Sequence, residues 1–210
     1  MRRTLFLATV VIAFAALTAP TLAQAPPSAT PSGTRMNVRG TVDKLDGQNL
    51  TVKARDGQSV TIVLAPNFTV RAVVSKSVAD IKAGDFVAST SIKGPDGTLQ
   101  AIELHILPAN LRGKIDGQTP ADLVPDSLMT NATVAQIVSA PQGQVMKVTY
   151  KGKEAEINVP PGIPVVGYVS GDAALLTPGA AVVIFARKLP DGSVTASSVT
   201  AEKDGVKPPM

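Results

Sequence analysis

The stretch "AGDFVASTSIKGPDGTLQAIELHI", residues 83–106, decides the fold of this chain, because it returns in altered form as "PGAAVVIFARKLPDGSVTASSVTA" at residues 178–201. In both copies, alternating apolar residues flank a Pro-Asp-Gly sequence, a pattern that predicts two strands joined by a tight turn. An offset of 95 residues aligns Gly84 with Gly179 and the two Pro-Asp-Gly turns with each other. The repetition predicts an internal duplication.

Short runs of alternating apolar residues precede each hairpin. In the first copy they are Val38–Val42, Leu50–Ala54 and Val60–Leu64, separated by Asp-Gly sequences. A period of two bounded by such turns is typical of an antiparallel meander of half-buried strands. Each copy would then hold about six short strands and one helical turn in roughly 70 residues, the size of a small OB-like barrel. We therefore predict an all-β fold of two tandem OB-like barrels, residues 37–107 and 132–203.

Residues 108–131 repeat nothing and separate the two copies. They contain Pro and Gly, as a flexible linker would, but they also carry apolar side chains that favour an ordered connector packed across both barrels. These side chains are Leu111, Ile115, Leu123, Val124, Leu128 and Met129. Because a barrel of this size buries only a marginal core, we expect the two barrels to pack against each other. The polar tail, residues 204–210, is predicted to be frayed.

The N-terminus has the pattern of a secretory signal peptide. Arg2 and Arg3 precede an apolar run, Leu5–Leu17, and small residues follow it. The run is shorter than the roughly 20 apolar residues of a transmembrane helix, so we predict a cleaved signal peptide over residues 1–25 and a periplasmic or secreted protein. The paired arginines leave the general and the twin-arginine export routes both open. Residues 26–36, rich in Pro, Ser and Thr, are predicted to be a disordered leader.

The composition argues against several classes of site. The chain has no cysteine, which excludes thiolate metal sites and thiol nucleophiles. Removing Arg2 and Arg3 with the signal peptide leaves 18 basic against 16 acidic residues, a formal charge of +2, so nucleic acid is not an expected partner. There is one histidine, and the sequence has neither a Gly-x-Ser-x-Gly elbow nor a glycine-rich phosphate loop. We expect a protein that is not an enzyme and that uses no cofactor.

The single histidine, His105, lies two residues after Glu103 on the last predicted strand of the first copy. Alternation places both side chains on one face of that strand, where they could supply two ligands to a metal ion. The ordinary use of such a pair is a solvated strand face, and no third ligand can be named from the sequence. The second copy has Ser198 and Thr200 at the matching positions. A metal site is therefore the alternative interpretation and a solvated face the first.

Four charged residues of the connector are the candidates for binding a ligand or partner in a groove between the barrels: Arg112, Lys114, Asp116 and Asp122. Loop solvation and turn capping are the common uses of such residues. A further alternative is an oligosaccharide or polyanion binder that uses the aromatic residues of the second copy, Tyr150 and Tyr168. Core or rim packing is the ordinary role of those two side chains.

Over residues 38–107 the first copy shows the succession VxGxV, LTV, VTI, IKAGDFV and PDGTLQA. In this succession it resembles the bacterial exported domain-of-unknown-function family 5666, and "AGDFV" followed by "DGTLQA" is the most specific part. The second copy resembles a divergent member, with Ala180 in place of Asp85. The resemblance implies OB-like β repeats and supplies no catalytic or binding residue.

These observations predict a non-catalytic, exported binding or assembly module. Its expected partner is another periplasmic or envelope protein or a small ligand. The alternatives are a periplasmic metal-handling protein that uses Glu103 and His105, and the oligosaccharide or polyanion binder. The sequence predicts no oligomeric state.

Overall fold

The computed structural model describes residues 33–95 and 97–209. The predicted signal peptide and the predicted leader up to residue 32 lie outside the described residues, as does Asp96 of the first hairpin turn. The described chain is all-β. Its strands are β1 (Thr34–Asp46), β2 (Asn49–Ala54), β3 (Ser59–Lys76), β4 (Phe86–Lys93), β5 (Leu99–Leu107), β6 (Gly117–Pro120), β7 (Leu128–Ala140), β8 (Gly143–Tyr150), β9 (Lys153–Val159), β10 (Val165–Gly171), β11 (Ala181–Lys188) and β12 (Val194–Ala201).

Five strands form a closed barrel in the order β12-β11-β1-β2-β3, with β3 paired to β12. β1 and β11 pair antiparallel from Thr34↔Lys188 to Thr41↔Ala181. Residues 34–36, predicted to be leader, therefore belong to a strand because β11 pairs with them. The inward side chains form one core: Val38, Val42, Leu50, Val52, Ile62, Leu64, Val182, Ile184 and Val199.

The second strand group pairs in the order β5-β4-β7-β8-β9. β4 pairs antiparallel with β7, and β5 meets β9 at Leu99↔Ile157 and Gln100↔Asn158. These strands share a core of their own: Val87, Leu99, Leu104, Val134, Met146, Val148 and Ile157.

This pairing corrects the predicted domain boundaries. The hairpin β4–β5 belongs by sequence to the first copy but pairs with β7 of the second, whereas β11 and β12 of the second copy pair with β1 and β3 of the first. Neither 37–107 nor 132–203 closes on itself. Alternation determines which side chains face a core, but it cannot determine which of two similar meanders a hairpin joins. β3 runs on to Lys76 beside β10, so the chain has left its own meander before the hairpin begins.

Both hairpins dock through the same backbone hydrogen bonds. Val42 N donates to Ala180 O over 2.9 Å at the start of β11, and Val134 N donates to Asp85 O over 2.9 Å before β4. Val42 O and Val134 O each accept at 2.8 Å from the glycine that precedes the hairpin. The two exchanged hairpins therefore occupy equivalent positions.

The predicted single helical turn before each hairpin is confirmed as a 3-10 turn, at Val78–Asp80 and Ala173–Leu175. The glycines that follow, Gly84 and Gly179, both have φ +89, a conformation that other residues adopt only with strain. In the part of the chain that the structure describes, no helix is long and apolar enough to cross a membrane.

β10 lies between the two halves of the molecule, antiparallel to β3 and parallel to β5. Tyr168 on β10 stands directly opposite Val73 on β3. These residues are separated by the repeat offset of 95, so equivalent positions of the two copies face each other.

The connector is ordered, since β6 pairs antiparallel with β7. The tail prediction is corrected over residues 204–209. Pro208 is buried, and Pro209 O accepts a hydrogen bond of 2.8 Å from Arg39 Nη1. The polar composition of the tail did not reveal that Pro209 bonds to Arg39 of β1.

Candidate functional site

Glu103 and His105 lie on β5, whose neighbours are β4 and β10. The interpretation of this face as solvated is wrong, because Glu103 is 3% and His105 is 8% exposed. Both side chains point away from the core that contains Leu104, yet they are buried within the protein. Each of these polar groups must therefore find its partner within the protein.

Thr90 and Tyr168 complete a buried polar network with this pair. His105 Nε2 lies 3.0 Å from Glu103 Oε1, and Thr90 Oγ1 donates to the same oxygen over 2.6 Å. On the other side of the imidazole, Nδ1 lies 2.5 Å from the hydroxyl of Tyr168. The His105 and Tyr168 rings stack with centroids 5.8 Å apart and an interplanar angle of 15°. Three strands, β4, β5 and β10, thus meet in one network.

Burial and charge shift the pKa values of two members of this network, Glu103 and Tyr168. Burial raises the pKa of Glu103, but the hydrogen bond and charge of His105 and the hydroxyl of Thr90 outweigh it and hold that pKa below its ordinary value. Burial, followed by the charge of Glu103, raises the pKa of Tyr168. A phenol that keeps its proton can donate to Nδ1, and Nε2 is then the ring nitrogen that donates to Glu103.

This arrangement has little room for a metal ion. Both ring nitrogens of His105 already have partners, so an ion would have to displace Glu103 or Tyr168. Across residues 33–95 and 97–209, no group of three or more His, Cys, Asp or Glu side chains is placed to hold a metal ion. In this network the buried polar groups of Thr90, Glu103, His105 and Tyr168 hydrogen-bond to one another.

The four connector candidates do not converge on one groove. Arg112 Nη2 donates to Gly84 O over 2.5 Å and its guanidinium lies 5.9 Å from the centre of the Phe86 ring. Asp116 accepts a hydrogen bond from Gly113 N within the same loop, and Lys114 is exposed. Arg112 and Asp116 therefore fasten the connector and its loop in place.

Asp122, the fourth candidate, bonds to β1. It accepts from Arg39 Nη2 over 2.8 Å and from Asn37 Nδ2 over 2.9 Å. The hydrogen bond from Arg39 is the main cause that lowers the pKa of the Asp122 carboxyl. Arg39 also holds the tail through Pro209, so one arginine joins β1, the connector and the tail. Sequence reasoning did not single out Arg39, and no motif marks it.

The most exposed large apolar side chain among the described residues is Phe185 on β11, at 66%. It stands directly opposite Asn37 of β1, and the neighbouring pair on the same outer face is Arg35 with Arg187. Alternation between the buried Ile184 and Ala186 could have identified this outward position from the sequence.

The fold and these residues define an all-β protein with a closed five-stranded barrel, an internal polar network and an exposed aromatic. Comparison with protein-family models, with curated proteins and with solved structures found no match to this chain. The resemblance to family 5666 stays a prediction.

Proposed function

We propose that this protein is a non-catalytic, exported binding or assembly module, and that the outer face of β1 and β11 is its working surface. The observation that carries this proposal is Phe185. The phenyl ring is 66% exposed on a barrel strand, and a partner that covered it would remove apolar surface from water and so stabilise the complex. Aromatic residues and arginine are enriched at the energetic centres of protein interfaces, and Arg35 and Arg187 pair beside this ring.

The polar network supports a role without catalysis. A catalytic carboxylate or imidazole must reach a substrate, whereas Glu103 and His105 are buried and bonded to each other. The raised pKa of Tyr168 keeps its hydroxyl protonated, which makes it a poor nucleophile. These groups are better suited to joining β4, β5 and β10.

We also propose that the second strand group is a second OB-like barrel and that the two arose by duplication of one β unit. The equal docking hydrogen bonds at Val42 and Val134 support this, as do the equal φ values at Gly84 and Gly179. The β5–β9 contact supports closure of the second ring. The resemblance to family 5666 fits this proposal but contributes no binding residue.

A photocrosslinking residue placed at Phe185 in the intact cell tests the binding function. Val138, which is 39% exposed on β7, is the matched control position. We expect one discrete adduct with an envelope protein from position 185 and none from position 138. Equal labelling from both positions, or no adduct from position 185, contradicts it.

A further inference from the structure

The two copies differ at one strand edge. β6 pairs with the first residues of β7, from Gly117↔Asn131 to Pro120↔Leu128. It lies on the same side of β7 as β8, which pairs with the later residues of that strand. β1 is the equivalent of β7, since Thr41 pairs with the first residue of β11 as Thr133 pairs with the first residue of β4. Within the described residues, no strand covers the corresponding edge of β1, residues 34–38, because β2 begins to pair only at Gly40.

In an antiparallel strand the N–H and C=O groups of successive residues point to alternate sides, which determines which backbone groups of β1 face the open edge. Val42 exchanges hydrogen bonds with the residues before β11, so alternate residues of β1 bond to β11. Arg39 O accepts from Arg55 N on the opposite side, over 3.0 Å. The N–H and C=O groups of Arg35 and Asn37 therefore point toward the open edge.

The side chains around the edge are cationic and apolar. Arg35 lies on the edge strand itself, Arg187 is its partner on β11, and Phe185 stands beside Asn37. A shallow cleft continues from the beginning of the edge and includes Lys188 in its lining. The carboxylate of Asp122 is already bonded to the side chains of Asn37 and Arg39 on β1.

A second copy of this chain is a poor occupant for this edge. Antiparallel pairing of two β1 edges about Asn37 would place Arg35 of one copy opposite Arg39 of the other, whose carbonyl already accepts from Arg55 N within its own chain. A segment with carboxylates opposite Arg35 would be attracted instead.

We propose that the open edge of β1 takes an extended, acidic segment of a partner protein, which adds a strand next to β1 as β6 does next to β7. The backbone of Asn37 supplies the ladder hydrogen bonds, and Arg35 on the same edge faces the carboxylates of the incoming strand. This inference rests on the proposed function, for which it names the edge and the chemistry of the partner.

The test uses the full mature chain and a fluorescent nonapeptide of alternating Asp and Val, with a Lys-Val peptide of the same length as the charge control. Fluorescence anisotropy should show binding of the acidic peptide only. Asn37→Pro removes the edge N–H without removing a bond to β11, and Asn37→Ala keeps that N–H. We expect about tenfold weaker binding for Asn37→Pro than for Asn37→Ala.

Amide hydrogen exchange of the unaltered protein provides a measurement that does not depend on any variant folding. The acidic peptide should slow exchange at Arg35 and Asn37 and leave exchange at Val138 unchanged. Equal binding of both peptides, equal binding by both Asn37 variants, or unchanged exchange at the edge would each overturn the proposal. An adduct from position 185 in cells together with any of these results would leave the binding function standing and refute only this edge.

Discussion

An engineered disulfide can test whether the hairpins are exchanged between the two copies. Asn37 and Phe185 are directly opposite on β1 and β11, and the peptide groups of Asn37 point away from β11. In such a non-hydrogen-bonded pair the Cα atoms lie about 4.5 Å apart, within the range that a disulfide spans. The chain has no cysteine of its own, so Asn37→Cys with Phe185→Cys leaves one possible intramolecular bridge.

The loop that this bridge closes sets the size of the effect. It contains about 150 residues, for which loop-closure entropy gives a stabilisation of about 5 kcal/mol, and engineered bridges commonly deliver about 2–4 kcal/mol. For a chain of this length, each kcal/mol raises Tm by about 2–4 °C. We therefore expect the oxidised variant to melt about 5–15 °C above its reduced form.

Met129 provides the matched control, because it occupies on β7 the position that Asn37 occupies on β1. If each copy closed on itself, β11 would lie beside β7, and Met129→Cys with Phe185→Cys would form the bridge. Mass spectrometry and thiol titration after expression in an oxidising compartment distinguish the two. A bridge in the Met129 variant, or none in the Asn37 variant, would refute the exchanged arrangement.

Two further predictions concern the buried network. Tyr168→Phe leaves Nδ1 of His105 without its donor, so it should lower the free energy of unfolding by about 1–3 kcal/mol in urea titrations, while the control Tyr150→Phe should change it by less than about 0.5 kcal/mol. Stability should also fall at both ends of the pH range. Because the pKa of Glu103 is lower in the folded chain than its ordinary value of 4.5, the ionised carboxylate stabilises the fold above about pH 4.5. This contribution is lost as pH falls through the folded pKa. The free energy of unfolding should therefore fall less steeply with acid in Glu103→Gln than in the parent. Because the pKa of Tyr168 is raised in the folded chain, this phenol ionises just above pH 10.0 only when the chain is unfolded, so the decline in stability there should be smaller in Tyr168→Phe than in the parent. Limbs of equal slope in parent and variant would contradict these assignments.

The repeated hairpin, its turns and the residues of the two cores could be predicted from the sequence, because each depends on local alternation. Exchange of the hairpins could not, because Val42 and Val134 offer the same docking hydrogen bonds to either one. The sequence contains no signal that distinguishes two equivalent partners. In the structure β3 runs on beside β10 as far as Lys76, so the hairpin β4–β5 begins far from its own meander and pairs with β7.

The burial of Glu103 and His105 could not be predicted either, because it depends on a strand from the other copy. Alternation correctly placed them together on the face of β5 that points away from Leu104, but it describes a strand relative to one core. Here β10, a strand from the other copy, pairs beside β5 and brings Tyr168 to the imidazole. A residue outside one core was therefore inside the molecule, and its partner lay 63 positions away in the chain.

The places where the two copies diverge are the places where the molecule has its chemistry. Thr90 and Phe185 occupy equivalent positions on β4 and β11, yet Thr90 is fully buried and bonded to Glu103, whereas Phe185 is exposed. The strand group that carries the buried network has the edge of β7 covered by β6, whereas the five-stranded barrel that carries the exposed ring has the edge of β1 at residues 34–38 open in the described part of the chain. The connector and the tail bond to the outer face of β1 through Asp122 and Pro209, but no strand pairs with the backbone of residues 34–38 on that edge among the described residues. On β7 the equivalent edge is taken by β6. The partner is therefore expected at the edge of β1 and not at the buried histidine.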